Sequence, residues 1–382
     1  MAQVEQKKGL EGAVVADTRL SRVMGDIGRL IYCGYDITDL AEHASYEEIV
    51  FLLWNQRLPN RAELQQLHKA LFADMPLSSA EVDTLRRFPA KAHPMSVLRT
   101  AVSTTGLFDP SADDNSPEAN QRKALRLTAR MPSIIAGWSR IRAGKEPIQP
   151  RDNLGHAANF LYMLRGKDSE QSEIDALNVY LVLLADHGMN ASTFTARVVT
   201  STDGDLYSAI TAAIGSLKGP KHGGANEAAL HMFHEIGSPD NVDKWFRDEV
   251  KGKGRRIMGV GHRVYKAFDP RAQVLKKHVE NLGTVARDNP TFQIATRLEK
   301  LVLTDDYFVE RKLYPNVDYY SSILLDAIGV DTDLQTPVFA TSRVAGWSAQ
   351  VIEQWEDNRL IRPLDNYIGP MDLTWVPLGQ RG

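Results

Sequence analysis

The chain has 382 residues, 43% hydrophobic and 24% charged, with 27 glycines and 18 prolines. Ordinary glycine and proline usage excludes a collagen-like or wholly disordered chain, and at about 150 residues per domain the length predicts two or three domains, or one large one with a subdomain. A formal net charge of −3 excludes the basic balance that recruits nucleic acid or an anionic membrane, although a site can concentrate positive charge that the total conceals.

In chain order, the opening MAQVEQKKGLEG carries two lysines but no apolar stretch, so no secretory signal is expected. Residues 13–33, with Val14-Val15 and Leu30-Ile31-Tyr32, read as a small hairpin sheet. Cys33 is the only cysteine, which excludes an internal disulfide and a CxxC pair and fits a reducing cytoplasm. Ser45-Tyr46-Glu47-Glu48 forms a capping box, opening a helix through Leu53 that stops before Pro59. Asn60…Glu63 and Ser78…Glu81 repeat that start signal. Leu125–Ile141 reads as a helix kinked at Pro132, where one ladder donor is missing. Further helices are predicted over Gln171–His187, Leu206–Lys218, Ala225–Glu235, Arg271–Asn281, Thr291–Val302, Asn316–Ile328 and Pro337–Asp357, followed by an extended tail at Arg359–Tyr367. The longest apolar run, Val179–Ala185, is far short of the roughly 20 residues a membrane helix needs, so no membrane span is expected. Apolar recurrence at three and four residues dominates, and the predicted class is mainly α with a minor N-terminal β-hairpin.

Several motifs fail on inspection. Gly259-Val260-Gly261 lacks the third glycine of a dinucleotide fingerprint, no βαβ unit surrounds it, and there is no phosphate-binding GxxxxGK[ST] loop. His231, His234 and Glu235 invert the zinc-protease order and read as a solvated helix face, so no metal is expected. Neither Gly137-Trp138-Ser139 nor Gly346-Trp347-Ser348 closes a nucleophile elbow. The Lys251–Arg256 run reads either as a solvated loop or as point charges for phosphates.

Four sites set a titratable residue among glycines or at a helix start. His222 lies in Gly219-Pro220-Lys221-His222-Gly223-Gly224 just ahead of a helix, where the macrodipole favours neutral imidazole, able to donate to a developing enolate oxygen. His262 follows Gly259-Val260-Gly261 and precedes Asp269-Pro270-Arg271. Asp318 falls in the first turn of the helix that Asn316 caps, where the dipole favours a carboxylate base. His187 sits at a helix end and restart, Asp186-His187-Gly188-Met189-Asn190. Singly, each has a structural reading: a hydrogen-bonded histidine, a helix-start anion or, for Arg343, a surface charge.

Jointly, over essentially the whole chain, these segments resemble citrate synthase, in its shorter prokaryotic form. The resemblance rests on HGMNASTFTARVV from His187, GPKHGGANEAAL from Gly219, GVGHRVYKAFDPRA from Gly259, YPNVDYYSSILLDAIG from Tyr314, SRVAGWSAQVIEQ around Arg343 and NRLIRPLDNYIGP from Asn358, with HPMSVLRTAVS around Arg99 also family-like. It implies that His222 hydrogen-bonds the thioester carbonyl of acetyl-CoA, Asp318 removes a methyl proton, and His262 polarises the ketone of oxaloacetate. His187, Arg271, Arg343 and Arg362 would hold the carboxylates of oxaloacetate and citrate. Arg362 would reach the neighbouring subunit's site, implying an obligate homodimer. Citryl-CoA would then be hydrolysed to citrate and CoA, the entry step of the tricarboxylic acid cycle, with no metal and no cofactor beyond acetyl-CoA as co-substrate. Lys266, and less directly Arg256 and Lys253, match the segment on the CoA side.

The resemblance also implies a large multi-helix domain, 1–222 plus 324–382, with a smaller helical domain, 223–323, inserted into it and closing after oxaloacetate binds. Departures from the family pattern are Cys33, where many relatives carry arginine, and His187-Gly188 in place of His-Glu. No further N-terminal domain precedes the core in this sequence, so NADH-type allostery is not expected. The nearest rival is 2-methylcitrate synthase, which uses propionyl-CoA. Its dedicated relatives tend to carry proline after the histidine that His262 matches, where this chain has Arg263. A catalytically silent helical dimer would have lost at least one of His222, His262 and Asp318.

Overall fold

In the computed structural model, which describes residues 8–262, 264–283 and 288–381, the start signals open helices where they were read. Helix α1 (Ile37–His43) is followed by α2 (Tyr46–Asn55), α3 (Arg61–Asp74) and α4 (Ser79–Arg86). The last three each begin at a complete capping box. At α3, for example, the Glu63 amide donates to Asn60 Oδ1 (3.0 Å) and the Asn60 amide donates back to Glu63 Oε2 (2.8 Å), so two orphan donors are satisfied at once. Next come α5 (Pro94–Leu107), α6 (Pro117–Arg142), α7 (His156–Arg165), α8 (Gln171–Leu184), α9 (Ala191–Thr200) and α10 (Leu206–Leu217). The remainder are α11 (Ala225–Ile236), α12 (Val242–Trp245), α13 (Pro270–Asn281), α14 (Pro290–Thr304), α15 (Asp306–Glu310), α16 (Val317–Ala327) and α17 (Gln335–Glu356). The class is mainly α, as expected. Among the described residues no helix is long and apolar enough to cross a membrane.

The sheet departs in detail from the sequence reading. Strands β1 (Ser21–Met24), β2 (Arg29–Tyr32) and β3 (Tyr35–Asp36) form an antiparallel meander in the order β1-β2-β3. Ser21 pairs with Tyr32 and Met24 with Arg29. Val14 and Val15 lie outside it, and Val14 is 88% exposed, because neither has an apolar face to cover. Helix α6 starts eight residues earlier than predicted, since Ser116 caps it and Pro117 occupies the first turn, where a missing N–H costs nothing. Pro132 lies inside that helix. Residues 357–377 take no regular secondary structure, as expected of an extended tail.

Helix α17 runs through the centre, packed on α2, α6, α8, α9 and α10. It is buried on nearly every face: Val338, Ala340, Val344, Ala345, Trp347 and Val351 have no exposed surface. Most of its buried polar groups are paired, as a dry core demands, Gln335 Oε1 and Arg343 Nη1 being exceptions. Ser342 Oγ donates to Leu181 O (2.6 Å), and Gln350 Oε1 accepts from Arg197 Nε (2.9 Å). Helices α11 to α16 pack mostly on one another, with α13 and α16 reaching α8.

The N-terminal segment is tied to both halves of the chain. The Arg19 amide donates to Glu353 Oε1 (2.8 Å) near the end of α17, and its guanidinium pairs with Glu356. Tyr32 Oη donates to Asp186 O (2.7 Å), fixing the chain just before His187. Cys33 is half-buried, with Sγ 3.5 Å from Leu52 O, which is a packing role. At the tip of the hairpin, Gly25 O accepts from the Lys266 amide (3.0 Å), and a Cβ on Gly25 would stand 2.2 Å from Val264 O.

Candidate active site

Three loop-to-helix junctions bring the site together. The first is the segment from Gly259 to Arg271 laid against Tyr314–Val317. Gly261 N donates to Tyr314 O (2.8 Å), Asn316 N to Gly259 O (2.8 Å) and Asn316 Nδ2 to Gly261 O (2.7 Å). Gly259 has φ +75°, and a Cβ there would stand 2.8 Å from Tyr319 N, so only glycine permits this approach. Asp269 is the hub. Its carboxylate accepts from Arg271 Nε (3.0 Å) and Nη2 (2.9 Å), from the Arg271 amide, and from Val317 N (3.1 Å) at the start of α16. Arg271 and Asp318 are thereby held in one rigid corner.

His262 accepts at Nδ1 from the amides of Val264 and Tyr265, both at 3.0 Å. A backbone amide can only donate, so the proton sits on Nε2, and the ring presents an N–H donor to the cleft. Burial first, then Arg271, holds the His262 pKa down at about 4, so that donor is neutral. Its ring lies 5.8 Å from that of His187 and 4.9 Å from that of Tyr265. Tyr265 Oη is 3.2 Å from His187 Nε2.

His187 itself follows α8, and burial together with Arg271, His262, Arg343 and His222 pushes its pKa well below the ordinary value. Ring contacts link these groups: Arg271 lies 5.8 Å over Tyr265, which packs on both His187 and His262, and the His222 ring stands 6.5 Å from that of Phe339, over which Arg343 lies. Arg343, one of the largest fully buried side chains, donates from Nε to Leu184 O (2.6 Å), while Nη1 has no partner among the described residues. Its guanidinium carbon lies 4.8 Å over the Phe339 ring. Burial also drives Asp318 up to about 7, against the lowering pull of Arg271 and Arg343.

His222 reaches the same space from the loop before α11. Ser192 N points at its Nε2 (3.3 Å) and Ser192 Oγ lies 2.8 Å away, so Nε2 is an acceptor and Nδ1 carries the proton. Burial, then Arg343, lowers its pKa to about 4. The site thus offers two neutral imidazole donors, a carboxyl poised to lose its proton near neutrality, and two buried guanidinium groups. That set can enolise a carbon acid and hold a dicarboxylate acceptor.

Of the residues picked from sequence, His187, His222, His262, Arg271, Asp318 and Arg343 converge. Arg362 does not: it is exposed at the start of the C-terminal tail, beside Arg197 and Pro363. Lys253 is exposed and pairs with Glu249 (2.7 Å), and Arg256 and Lys266 are exposed, one before and one after His262. Arg263 lies outside the described residues. Asp269, Ser192, Tyr265 and Phe339 were not assigned roles from sequence. Asp269 alone carried a local signal, as the Asp-Pro cap of α13. Among the described residues no three His, Cys, Asp or Glu side chains are arranged to hold a metal ion.

A helical protein with a histidine-, aspartate- and arginine-lined cleft of this kind is an enzyme by its site. The comparisons say of which kind. The family model described as "Citrate synthase, C-terminal domain" matches residues 9–364. Citrate synthase 2 of Bacillus subtilis is 46% identical over 375 residues, 98% of this chain and 99% of that protein. The 2-methylcitrate synthase of Mycobacterium tuberculosis is 43% identical over 368 residues, 95% of this chain and 90% of that protein. The ternary complex of citrate synthase from Thermoplasma acidophilum with carboxymethyl coenzyme A and oxaloacetate superposes with a TM-score of 0.93 at 35% identity, over 99% of this chain and 100% of that one. The chain belongs to the citrate synthase family.

Proposed function

We propose that the protein condenses acetyl-CoA with oxaloacetate and water to give citrate and CoA. The observation that carries this reading is the pairing of a near-neutral Asp318 with two neutral histidine donors of defined tautomer in one arginine-lined cleft. Asp318 takes a methyl proton from acetyl-CoA as the thioester oxygen gains charge against the Nδ1–H of His222. A carboxylate alone is far too weak for this carbon acid, so the oxyanion donor supplies much of the driving force. The enol carbon then bonds to the ketone carbon of oxaloacetate. The ketone's π electrons move to its oxygen, which accepts the proton offered by His262 Nε2. His187, Arg271 and Arg343 hold the two carboxylates, and water cleaves the thioester of citryl-CoA.

Residues 1–222 with 324–382 are assigned to the large domain and 223–323 to a small domain that closes on the acceptor, in keeping with the mutual packing of α11 to α16. Lys266, with Arg256 and Lys253, is assigned to the CoA phosphates. Arg362 is assigned to the neighbouring subunit's site in a homodimer. Its own cleft leaves it outside, and the tail beyond it exposes Leu364, Ile368, Leu373, Trp375 and Leu378, each at least 75% exposed. Such a row of apolar side chains with no cover in its own subunit suits a second copy of the chain. We assign the enzyme to the cytoplasm and to the entry of the tricarboxylic acid cycle.

The test is release of free CoA thiol from acetyl-CoA against propionyl-CoA, with and without oxaloacetate. Acetyl-CoA is expected to show the higher kcat/KM, with propionyl-CoA still turned over, because one methylene is worth only about 1–3 kcal/mol. Preference for propionyl-CoA would instead establish the 2-methylcitrate activity that a relative's name records. A second expectation concerns pH. The base must be ionised, so kcat/KM for acetyl-CoA should rise with pH through about 7, while His222 and His262, neutral above about 4, add no break between pH 5 and 9. A profile flat from pH 6 to 8 would remove Asp318 from the role of base.

A further inference from the structure

We propose that Asp186 is a buried countercharge that offsets part of the charge of Arg343 and so limits how tightly the acceptor's carboxylate is held, an inference that rests on Arg343 gripping that carboxylate. Asp186 has no exposed surface and immediately precedes His187. Its Oδ2 accepts from Ser21 Oγ, from Gln350 Nε2 (3.2 Å) and from the Gly188 amide (3.3 Å), while Oδ1 has no hydrogen-bond partner among the described residues. Oδ1 lies instead against Gly346, where a Cβ would stand 2.7 Å from it. Gly346 is three residues beyond Arg343 and shares its face of α17. Arg343 Nε donates to Leu184 O, two residues before Asp186, so guanidinium and carboxylate flank one short stretch of chain.

The two buried guanidinium groups of the site are balanced differently. Arg271 is paired in direct contact with Asp269, at 2.9 Å. Arg343 forms no such contact pair among the described residues: its Nε goes to a carbonyl and its Nη1 is unspent. Of the charges around Arg343, Asp186 does most to keep it protonated against burial. Burial raises the Asp186 pKa in turn, and Arg343, ahead of the three hydrogen-bond donors, pulls it back. A carboxylate touching the guanidinium would occupy the fork that the acceptor needs, and no carboxylate at all would leave a bare cation in a dry core. A countercharge set one layer back stabilises the cation, leaves its fork open, and subtracts from its pull on an incoming anion.

The plain alternative is that Asp186 only ties down the turn that carries His187. Holding the turn requires no charge, as Asn190 shows at its other end, where the neutral Oδ1 accepts from Ser192 Oγ (2.8 Å) and the Thr193 amide (3.2 Å). An asparagine at 186 with its oxygen in the place of Oδ2 would serve the same three donors. What the aspartate adds is a negative charge in a place where burying charge is costly. The return falls on the product side. Citrate carries one carboxylate more than oxaloacetate, and a site of undiminished positive charge would release it slowly.

The test titrates full-length wild type and Asp186→Asn calorimetrically with oxaloacetate and, separately, with citrate. Loss of the charge is expected to tighten both ligands about tenfold, equivalent to about 1.4 kcal/mol, with KM for acetyl-CoA within twofold of wild type. Loss of a merely structural tie would weaken both, so the sign of the change separates the two roles. Asp186→Ser removes the same charge with a smaller side chain, should the amide not fit against Gly346. Ser21→Ala keeps the charge and deletes one donor to it, and is expected to tighten neither ligand. Unchanged or weaker binding in the neutral variants overturns the proposal, as does tighter binding in Ser21→Ala. Arg343→Lys, measured alongside, keeps the premise separate. If it leaves oxaloacetate binding unchanged, the assignment of Arg343 fails; if it weakens binding while Asp186→Asn does not tighten it, the role of Asp186 alone fails.

Discussion

Replacing Asp318 by asparagine is expected to lower citrate formation by on the order of 10³-fold while leaving oxaloacetate binding nearly intact. Asparagine keeps the shape and the Asn316-capped start of α16 but cannot accept the methyl proton, and neither neighbouring histidine offers a base at that point in the cleft. Calorimetric titration of oxaloacetate beside steady-state rates separates the two effects, and a variant retaining a tenth of wild-type kcat would rule Asp318 out as base. The same substitution should stabilise the fold. A carboxyl raised to about 7 by burial favours the folded state while protonated, and that contribution is lost as pH rises through 7. Asp318→Asn should therefore gain roughly 2 to 4 kcal/mol over wild type at pH 8, the gain shrinking as pH falls and vanishing only below the unfolded value of 3.8, where the aspartate is neutral in both states. Opposite signs in activity and stability would mark a group held in an unfavourable state for the sake of its chemistry.

Arg343→Lys should raise KM for oxaloacetate about 100-fold with the fold preserved. The guanidinium is tied at one edge, where Nε donates to Leu184 O, and its Nη1 is unspent. That leaves a fork for a planar carboxylate, where lysine supplies a point charge without the second parallel bond. A loss of about 2.7 kcal/mol corresponds to the 100-fold change. Lysine is the informative choice because it keeps a positive charge near the buried Asp186, whose Oδ1 has no partner among the described residues and whose pKa burial raises even with Arg343 present. Alanine would remove that charge and confuse a binding defect with a packing one. A KM within threefold of wild type in the lysine variant would mean that the acceptor is held elsewhere.

What could be read in advance was whatever is local or motif-borne. The capping boxes at Ser45, Asn60 and Ser78 are complete within four residues, and all three open helices as read. The first turns of α6 were missed because PEANQRK lacks apolar periodicity until Ala124 and Leu127 reach the core. Val14-Val15 looked like strand because β-branched pairs favour strands, but propensity without a face to bury decides nothing. In the site, six residues lay in long recognisable segments. Those that hold them did not announce themselves, since Ser192 meets His222 across 30 residues and Trp347 meets Ser192 across 155. A hydroxyl and an indole carry no pattern of their own, and only the fold gives them partners.

The ties of the N-terminal segment bear on how the molecule is made. Arg19 binds Glu353 across 334 residues, Ser21 binds Asp186 across 165, and the hairpin tip holds the backbone of Lys266. At about 5–20 residues per second, roughly 17 to 67 s of synthesis separate Arg19 from Glu353 on α17. Ser21 and Tyr32 can meet Asp186 about halfway through that interval, but until α17 is made the central groove it fills lies open to water. The hydrophobic middle of this enzyme follows in sequence the helices it packs against, so the nascent chain must remain unaggregated with its core incomplete until α17 is made.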